Sequence, residues 1–305
     1  MALLAVLLPV GVQAQQDPSY SHYWAMEPSF CPAAVGKQDM LNVTGAYNMT
    51  LTGFEHNPRT MYIAADMPFL LMKTKHGVGL QIVNDQIGLF RHQKLALQYA
   101  FKQRLFGGVL SVGVLAGLLS ENFDGSGLDL ADTGDPAFST SKVDGTGLDL
   151  GAGLYYQWRG WYLGLSGLHL NAPTVLLGET NELEVARSYY ITAGGNIRLR
   201  SPLLSLQPSV LARTDGVGWR TDVTCRLTYR YEGRMLYAGL GYSPTNSATF
   251  YIGGLFHGIV FGYSYEAYTR AVKLGNGSHE LLVGYQTDIQ LGKKGHNRHQ
   301  TPRIL

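Results

Sequence analysis

Charge is scarce in this sequence. Only 15% of its 305 residues are Asp, Glu, Lys or Arg, against about 25% in an ordinary soluble domain. Long apolar runs are scarce too. Outside the extreme N-terminus nothing approaches the ~20 residues that a membrane-spanning helix needs, which excludes a helical membrane protein. With two cysteines, Cys31 and Cys225, the chain can form one disulfide at most. A net charge of +2 with no clustered basic face argues against a nucleic-acid binder. Phosphate-loop, zinc-ligand and dinucleotide fingerprints are all missing. What the chain does have is 38 Gly, 19 Tyr against 4 Trp, and an 11% aromatic content. Its mean hydropathy is close to neutral, at −0.03. This balance suits a β-barrel in an outer membrane better than a soluble enzyme.

One stretch, residues 218–232, organises the rest. Every second residue separates two faces: Trp219, Thr221, Val223, Cys225, Leu227, Tyr229 and Tyr231 on one, and Arg220, Asp222, Thr224, Arg226, Thr228, Arg230 and Glu232 on the other. A helix would scatter those charges round its circumference, so only the two-residue period of a strand sorts them. The stretch is also long compared with the usual globular strand of about 5–6 residues. A long tilted strand, apolar outside and charged inside, is the unit of a transmembrane barrel.

The pattern recurs over fourteen candidate strands, at 40–51, 59–69, 77–86, 90–102, 107–119, 146–157, 160–170, 187–199, 203–213, 218–231, 234–242, 248–255, 258–268 and 279–291. The expected fold is therefore all-β, a 14-stranded antiparallel transmembrane β-barrel with an irregular N-terminal segment. An even count closes the sheet, which leaves no edge amide unpaired in hydrocarbon. Connection lengths give an independent check. Those after strands 2, 4, 6, 8, 10 and 12 are short, while those after 5, 7 and 13, at 120–145, 171–186 and 269–278, are long. Bacterial barrels place short turns in the periplasm and long loops outside, and the parity fits. Strand 107–119 alternates poorly. Tyr155, Tyr156, Trp158, Trp161 and Tyr162 collect near strand ends, as interfacial girdles do.

The expected division is a secretory signal peptide at 1–14, an irregular periplasmic or plug segment at 15–37, the barrel at 38–291 and a basic periplasmic tail at 292–305. The first stretch is apolar and ends in Val12-Gln13-Ala14, a small-residue cleavage site. Its missing basic n-region points to a start upstream of Met1, and no Cys follows the site to accept lipid. Residues 15–37 hold Pro18, Pro28 and Pro32, too many for a strand. Their aromatic side chains imply packing on or inside the barrel. Cys225 lies on the apolar face as a small hydrophobe, away from Cys31. The tail reads as a solvated peptide rather than a docking one.

Candidate chemistry is sparse. Asp124-Gly-Ser-Gly-Leu-Asp129 recurs as Asp144-Gly-Thr-Gly-Leu-Asp149, with Glu121, Asp132 and Asp135 nearby. These are oxygen ligands of the kind calcium takes, but the loop spacing of a calcium site is missing, and ordinary Asp-Gly turns are the better account. Among nine histidines, His92 shares the charged face with Lys94, and His169 and His257 lie near strand ends. None accompanies a nucleophile motif, so no enzyme, cofactor or metal is expected. The inward charges Arg198, Arg220, Asp222, Arg226, Arg230, Glu266 and Asp288 would either select solutes in an open channel or pair with one another and with a plug. Interior glycines such as Gly239, Gly241 and Gly262 leave room against the wall, which favours a filled or narrowed lumen.

Asp17-Pro18-Ser19-Tyr20-Ser21-His22-Tyr23, followed by Cys31-Pro32-Ala33-Ala34-Val35-Gly36, resembles the opening of the PorP/SprF family of type IX secretion outer-membrane proteins. Pro58-x-Thr60, Asp66-x-Pro68 and Gly77-Val-Gly-Leu80 leading to Asp85-x-Ile87-Gly88 extend the resemblance. His22 departs from the family's Gln, Cys31 from its Asn and Ala34 from its Tyr. The resemblance implies a non-enzymatic barrel in the outer membrane of a Gram-negative bacterium. It implies a role in anchoring secretion or gliding machinery, or in helping export or surface attachment of a secreted partner. The implied partners are outer-membrane lipid, periplasmic ring components, a peptidoglycan-binding periplasmic protein and a secreted surface protein, with no nucleic acid. Partner contacts would fall on Asp17, Pro18, Tyr20, Tyr23, Pro32, Gly36 and Asp85, with the N-terminal segment and the short turns as a periplasmic docking face. The alternative is an outer-membrane channel for small solutes.

Overall fold

Alternation becomes a wall once each strand finds two neighbours. The computed structural model describes residues 17–125, 142–177, 181–244, 246–269 and 275–289. The strands are β1 (Met40–Met49), β2 (Arg59–Leu71), β3 (Thr74–Ile87), β4 (Phe90–Leu105), β5 (Gly108–Asp124), β6 (Lys142–Trp158), β7 (Trp161–Leu168), β8 (Thr174–Leu177) and β9 (Asn181–Glu184). They continue as β10 (Ser188–Gly195), β11 (Ile197–Arg198), β12 (Leu204–Thr214), β13 (Trp219–Tyr231), β14 (Arg234–Ser243), β15 (Ser247–Phe256), β16 (Ile259–Tyr268) and β17 (Ser278–Asp288). β10 and β11 keep one register against β12, with Ala193 opposite Val210 and Ile197 opposite Leu206, so they form one stave broken at Asn196. With β8 and β9 set apart as a separate hairpin, fourteen antiparallel staves remain. β1 meets β17, with Tyr47 opposite Leu281, and β10 pairs with both β7 and β12. The sheet closes without an edge.

The outer surface is apolar. Leu240, Val283 and Leu118 stand 67%, 60% and 58% exposed. A soluble protein with so continuous an apolar belt would aggregate, whereas here it faces lipid. β5 alternates poorly because two of its inward residues, Leu115 and Leu119, are apolar, and pairing with β4 and β6 carries it beyond 119. Leu115 packs against a segment inside the barrel instead of facing water. The first long loop is also shorter than expected. Its ends continue the sheet, with Glu121 opposite Gly145 and Asp124 opposite Lys142. The second Asp-Gly repeat is therefore mostly strand, and Asp149 points into the lumen. The remaining acidic positions of that loop, the signal-peptide stretch and the basic tail lie outside the described residues.

The girdle assignment needs correction for two tyrosines. Trp158 and Trp161 face outward, but Tyr155 is buried and Tyr162 stacks on it, with ring centroids 5.5 Å apart. Strand parity decides this: Tyr155 shares the lumen side with Gly153 and Gly151, whatever its closeness to the turn. The β8–β9 hairpin, which the alternation did not foretell, folds against the lumen side of β6. A Cβ at Gly145 would overlap the Leu176 carbonyl, so glycine at that position lets the hairpin approach.

Candidate functional site: the occupied lumen

Residues 17–37 run through the barrel, held by short-range polar contacts at both ends. At the end near the long loops, His169 Nε2 lies 2.9 Å from Asp17 Oδ1, and the Tyr190 hydroxyl donates to Asp17 Oδ2. The other face of the His169 ring meets Asp149 at 2.8 Å, and Lys94 reaches the second Asp149 oxygen at 2.8 Å. Asn48 Nδ2 donates to the Ser19 carbonyl at 2.8 Å, and Arg213 reaches the Ser19 hydroxyl. At the end with the short turns, the Gly36 amide donates to Asp66 at 2.7 Å. Gly36 sits at φ +60°, where a side chain is strained, and its Cβ would crowd the Met67 carbonyl.

The middle of the segment supplies the densest anchoring. Glu280 of β17, 1% exposed, accepts from the Ser21 amide (2.8 Å) and the His22 amide (2.9 Å), and contacts His22 Nδ1 (2.7 Å). The Tyr23 hydroxyl lies 3.0 Å from Ser209 and 3.1 Å from Thr224. Arg226 sits 4.1 Å from the Trp24 ring centroid, and Tyr251 meets the same ring edge-on. Glu27 pairs with Lys37 at 2.6 Å and accepts from the Tyr155 hydroxyl at 2.8 Å. Gln98 donates to the Pro28 carbonyl and Ser166 to the Phe30 carbonyl. Two short 3₁₀ turns, Glu27–Ser29 and Pro32–Ala34, fold the chain tightly enough to fit. Each opens on a proline near its start, where a missing N–H costs nothing.

The wall is shaped for this occupant. A Cβ at Gly77 would overlap the Val35 carbonyl, and one at Gly113 would overlap the Ala33 backbone. Of the glycines singled out in the sequence, Gly262 abuts His22 and Tyr237. Gly239 and Gly241 instead make room for the wall side chains Arg226 and Tyr251.

Electrostatics follow the same layout. Burial works against charge on Asp17, but His169, then Lys94 and Tyr190, outweigh it and hold the carboxyl far below its usual range. Burial likewise opposes a charged His169, and Asp17 with Asp149 overcomes it, lifting the imidazole to about 9. This corner is a buried charge network, Asp17–His169–Asp149–Lys94, that ties the start of the segment to the loop end of the wall.

The sequence-derived candidates divide in space. Asp17, Pro18, Tyr20, Tyr23 and Asp85 line one cavity of about 70 Å³ together with Gln81 and Arg213. Asp85 is buried in β3 and accepts from the Thr60 hydroxyl at 2.6 Å. Pro32 and Gly36 lie apart, toward the other end. Tyr20 and Tyr23 are buried against the wall, so the segment does not present them at either mouth, and the expected docking face loses these side chains. Among the inward charges, Arg220 pairs with Asp222 at 3.0 Å and Glu266 at 3.1 Å, Arg226 covers Trp24, and Arg230 reaches the Met235 sulfur. Arg198 and Asp288 are exposed near the rim that carries the short turns. Sequence reasoning missed His22, Glu27 and Glu280 as anchors. Glu280 was legible as an inward charge; its partner was not, because they stand 258 residues apart. Cys31 is buried and Cys225 exposed, both free.

Fold and interior together define an outer-membrane β-barrel whose own N-terminal segment is packed into its lumen. The chain belongs to the PorP/SprF family, matching the description "Type IX secretion system membrane protein PorP/SprF" over residues 12–285. No curated protein matches it at a significant level. Among solved structures, the CymD monoaromatic hydrocarbon channel is similar with a TM-score of 0.50 at 12% identity, covering 88% of this chain and 92% of that one. The toluene transporter TbuX of Ralstonia pickettii gives 0.49 at 13% identity, with 87% and 93% covered. A FadL homologue of Pseudomonas aeruginosa gives 0.42 at 12%, with 81% and 88% covered. At such identities the likeness is one of fold.

Proposed function

We propose that this barrel is a non-enzymatic component of type IX secretion that anchors periplasmic machinery at the outer membrane and assists export or surface attachment of a secreted partner. The observation that carries this reading is the occupied interior. Side chains from nine of the fourteen staves hydrogen-bond residues 17–36. A wall committed in this way to an internal ligand serves as a rigid membrane-embedded platform. The short turns and the rim are its periplasmic face, and ring components and a peptidoglycan-binding protein are the partners it would hold there.

The solute-channel reading needs the segment to leave or shift, since the inward charges are largely spent on each other and on the segment. Two measurements separate the readings. Purified barrel in planar bilayers is expected to stay silent, and steady wild-type conductance would favour the channel. In cells, Tyr23→Ala and Glu280→Ala are expected to reduce export of secreted cargo while the barrel still assembles. Normal export from both variants would count against the platform.

A further inference from the structure

The periplasmic mouth holds a cleft with no residue of the N-terminal segment in its lining, where Arg230 reaches only the Met235 sulfur among the contacts above. β11, the turn at 199–203, β12 and β13 enclose about 160 Å³, lined by Asn196, Arg198, Pro202, Leu203, Ser205 and Arg230. Two guanidinium groups share this space and no carboxylate lines it. Arg213 and Arg220, deeper in the lumen, pair with Asp222 and Glu266. Arg198 and Arg230, by contrast, form no ion pair among the described residues. Register sets their direction. Arg198 stands opposite Ser205, and Arg230 opposite the half-buried Met235, so both belong to the inward-facing set. They face the aqueous mouth rather than lipid headgroups.

The rim adds to this field. Lys73, Arg104, Arg159 and Arg200 are exposed in or beside four of the short turns. Of the carboxylates at this end, Asp39 is paired with Lys75 at 2.6 Å, Asp66 accepts from the Gly36 amide, and Glu232 and Asp288 lie on the rim. Arginine presents a planar fork of donors that matches a carboxylate bidentately. One exposed fork, Arg198, beside one half-buried fork, Arg230, with further cations on the rim, is a receptor for concentrated negative charge.

We infer that this cleft binds the side-chain carboxylates of an Asp/Glu-rich segment of a periplasmic protein. Arg198 and Arg230 grip the carboxylates, and the rim cations steer the segment in. This deepens the platform reading by giving its periplasmic partner an acidic chemistry, and it rests on that reading only for the partner's role.

The test uses the full-length barrel in detergent and a fluorescein-labelled oligoglutamate peptide, with oligolysine and a Gly/Ser peptide as controls. Oligoglutamate alone is expected to bind, with affinity that falls as salt rises. The double variant Arg198→Glu/Arg230→Glu is expected to weaken binding by about tenfold or more. The Arg198→Lys/Arg230→Lys pair, which keeps charge but loses the fork, should fall between. Heat-modifiable migration on gels confirms that each variant is folded. Unchanged affinity in the double reversal, or no oligoglutamate binding to wild type, overturns the inference. Phosphatidylglycerol retained in native mass spectra by wild type and lost from the double reversal would assign the cleft to lipid phosphate, and overturns it as well. Export measured in parallel keeps the readings apart: normal export without the barrel refutes the platform, whereas intact peptide binding in the double reversal refutes the cleft.

Discussion

Replacing Glu280 by alanine tests the internal anchoring most directly. The wild-type carboxylate is almost fully buried and meets three donors on two consecutive residues, Ser21 and His22. Removing the acceptor leaves the ring N–H of His22 desolvated without a partner, at a cost of about 1–3 kcal/mol. The two backbone amides add to that deficit, since a buried N–H without an acceptor costs about 1–3 kcal/mol. Water entering the vacated volume would recover part of the loss, so about 3–5 kcal/mol is the working figure for the whole substitution. At 1.4 kcal/mol per decade, the ratio of docked to undocked segment falls by roughly two to nearly four orders of magnitude. Amide hydrogen exchange reads this ratio directly. Exchange across residues 19–26 should accelerate by a comparable factor, while amides in β13 and β14, which do not touch Glu280, keep their protection. Glu280→Gln keeps the shape and one acceptor oxygen, and should lose less. If segment protection in Glu280→Ala stayed within tenfold of wild type with the barrel intact, the carboxylate would not be the anchor and the energetic reasoning would fail.

Other outcomes follow from the same geometry. Gly113→Leu should eject the Pro32–Ala34 turn at a cost of about 1–3 kcal/mol, seen as protease cleavage near Ala33 in a barrel that still shows heat-modifiable migration. The Asp17–His169 contact carries a pH dependence. Because the folded His169 titrates near 9 rather than its ordinary 6.5, its contribution is complete below about pH 6.5 and disappears as pH rises through about 9, a change of about 3 kcal/mol. Asp17 works in the opposite sense, its contribution being present above its ordinary 3.8 and lost on acidification. Protection of residues 17–20 should therefore peak in mildly acidic buffer and decline into alkali, and His169→Asn should flatten the alkaline limb. On the lipid face, Leu240→Arg should destabilise the folded barrel by about 2–4 kcal/mol, measured by urea titration in vesicles. Thr221→Arg, nearer the outer end of its strand, should cost less.

The periodicity of the sequence was enough for the wall. Two-residue alternation along residues such as 219–231, and the rhythm of short and long connections, set the strand count and the outward face. These are local properties: each strand's face follows from its own side chains and each turn from its own length. The proline-rich, aromatic composition of residues 15–37 likewise said that the segment would not be a strand and would need a surface to cover.

Only the tertiary structure decided what that surface is. Glu280 and His22, Glu27 and Tyr155, Asp17 and His169, and Gly113 and Ala33 are pairs whose members lie far apart in the chain. Nothing in the local pattern of either member names the other. Closure of the sheet brings them within bonding distance, and it also turns Tyr155 and Tyr162 inward where their position near a strand end implied a girdle. An inward charge in the sequence is a side chain in search of a counter-charge. Whether it meets water, a wall neighbour or the protein's own N-terminus is settled by the curvature that joins β1 to β17, a non-local condition that no single strand carries.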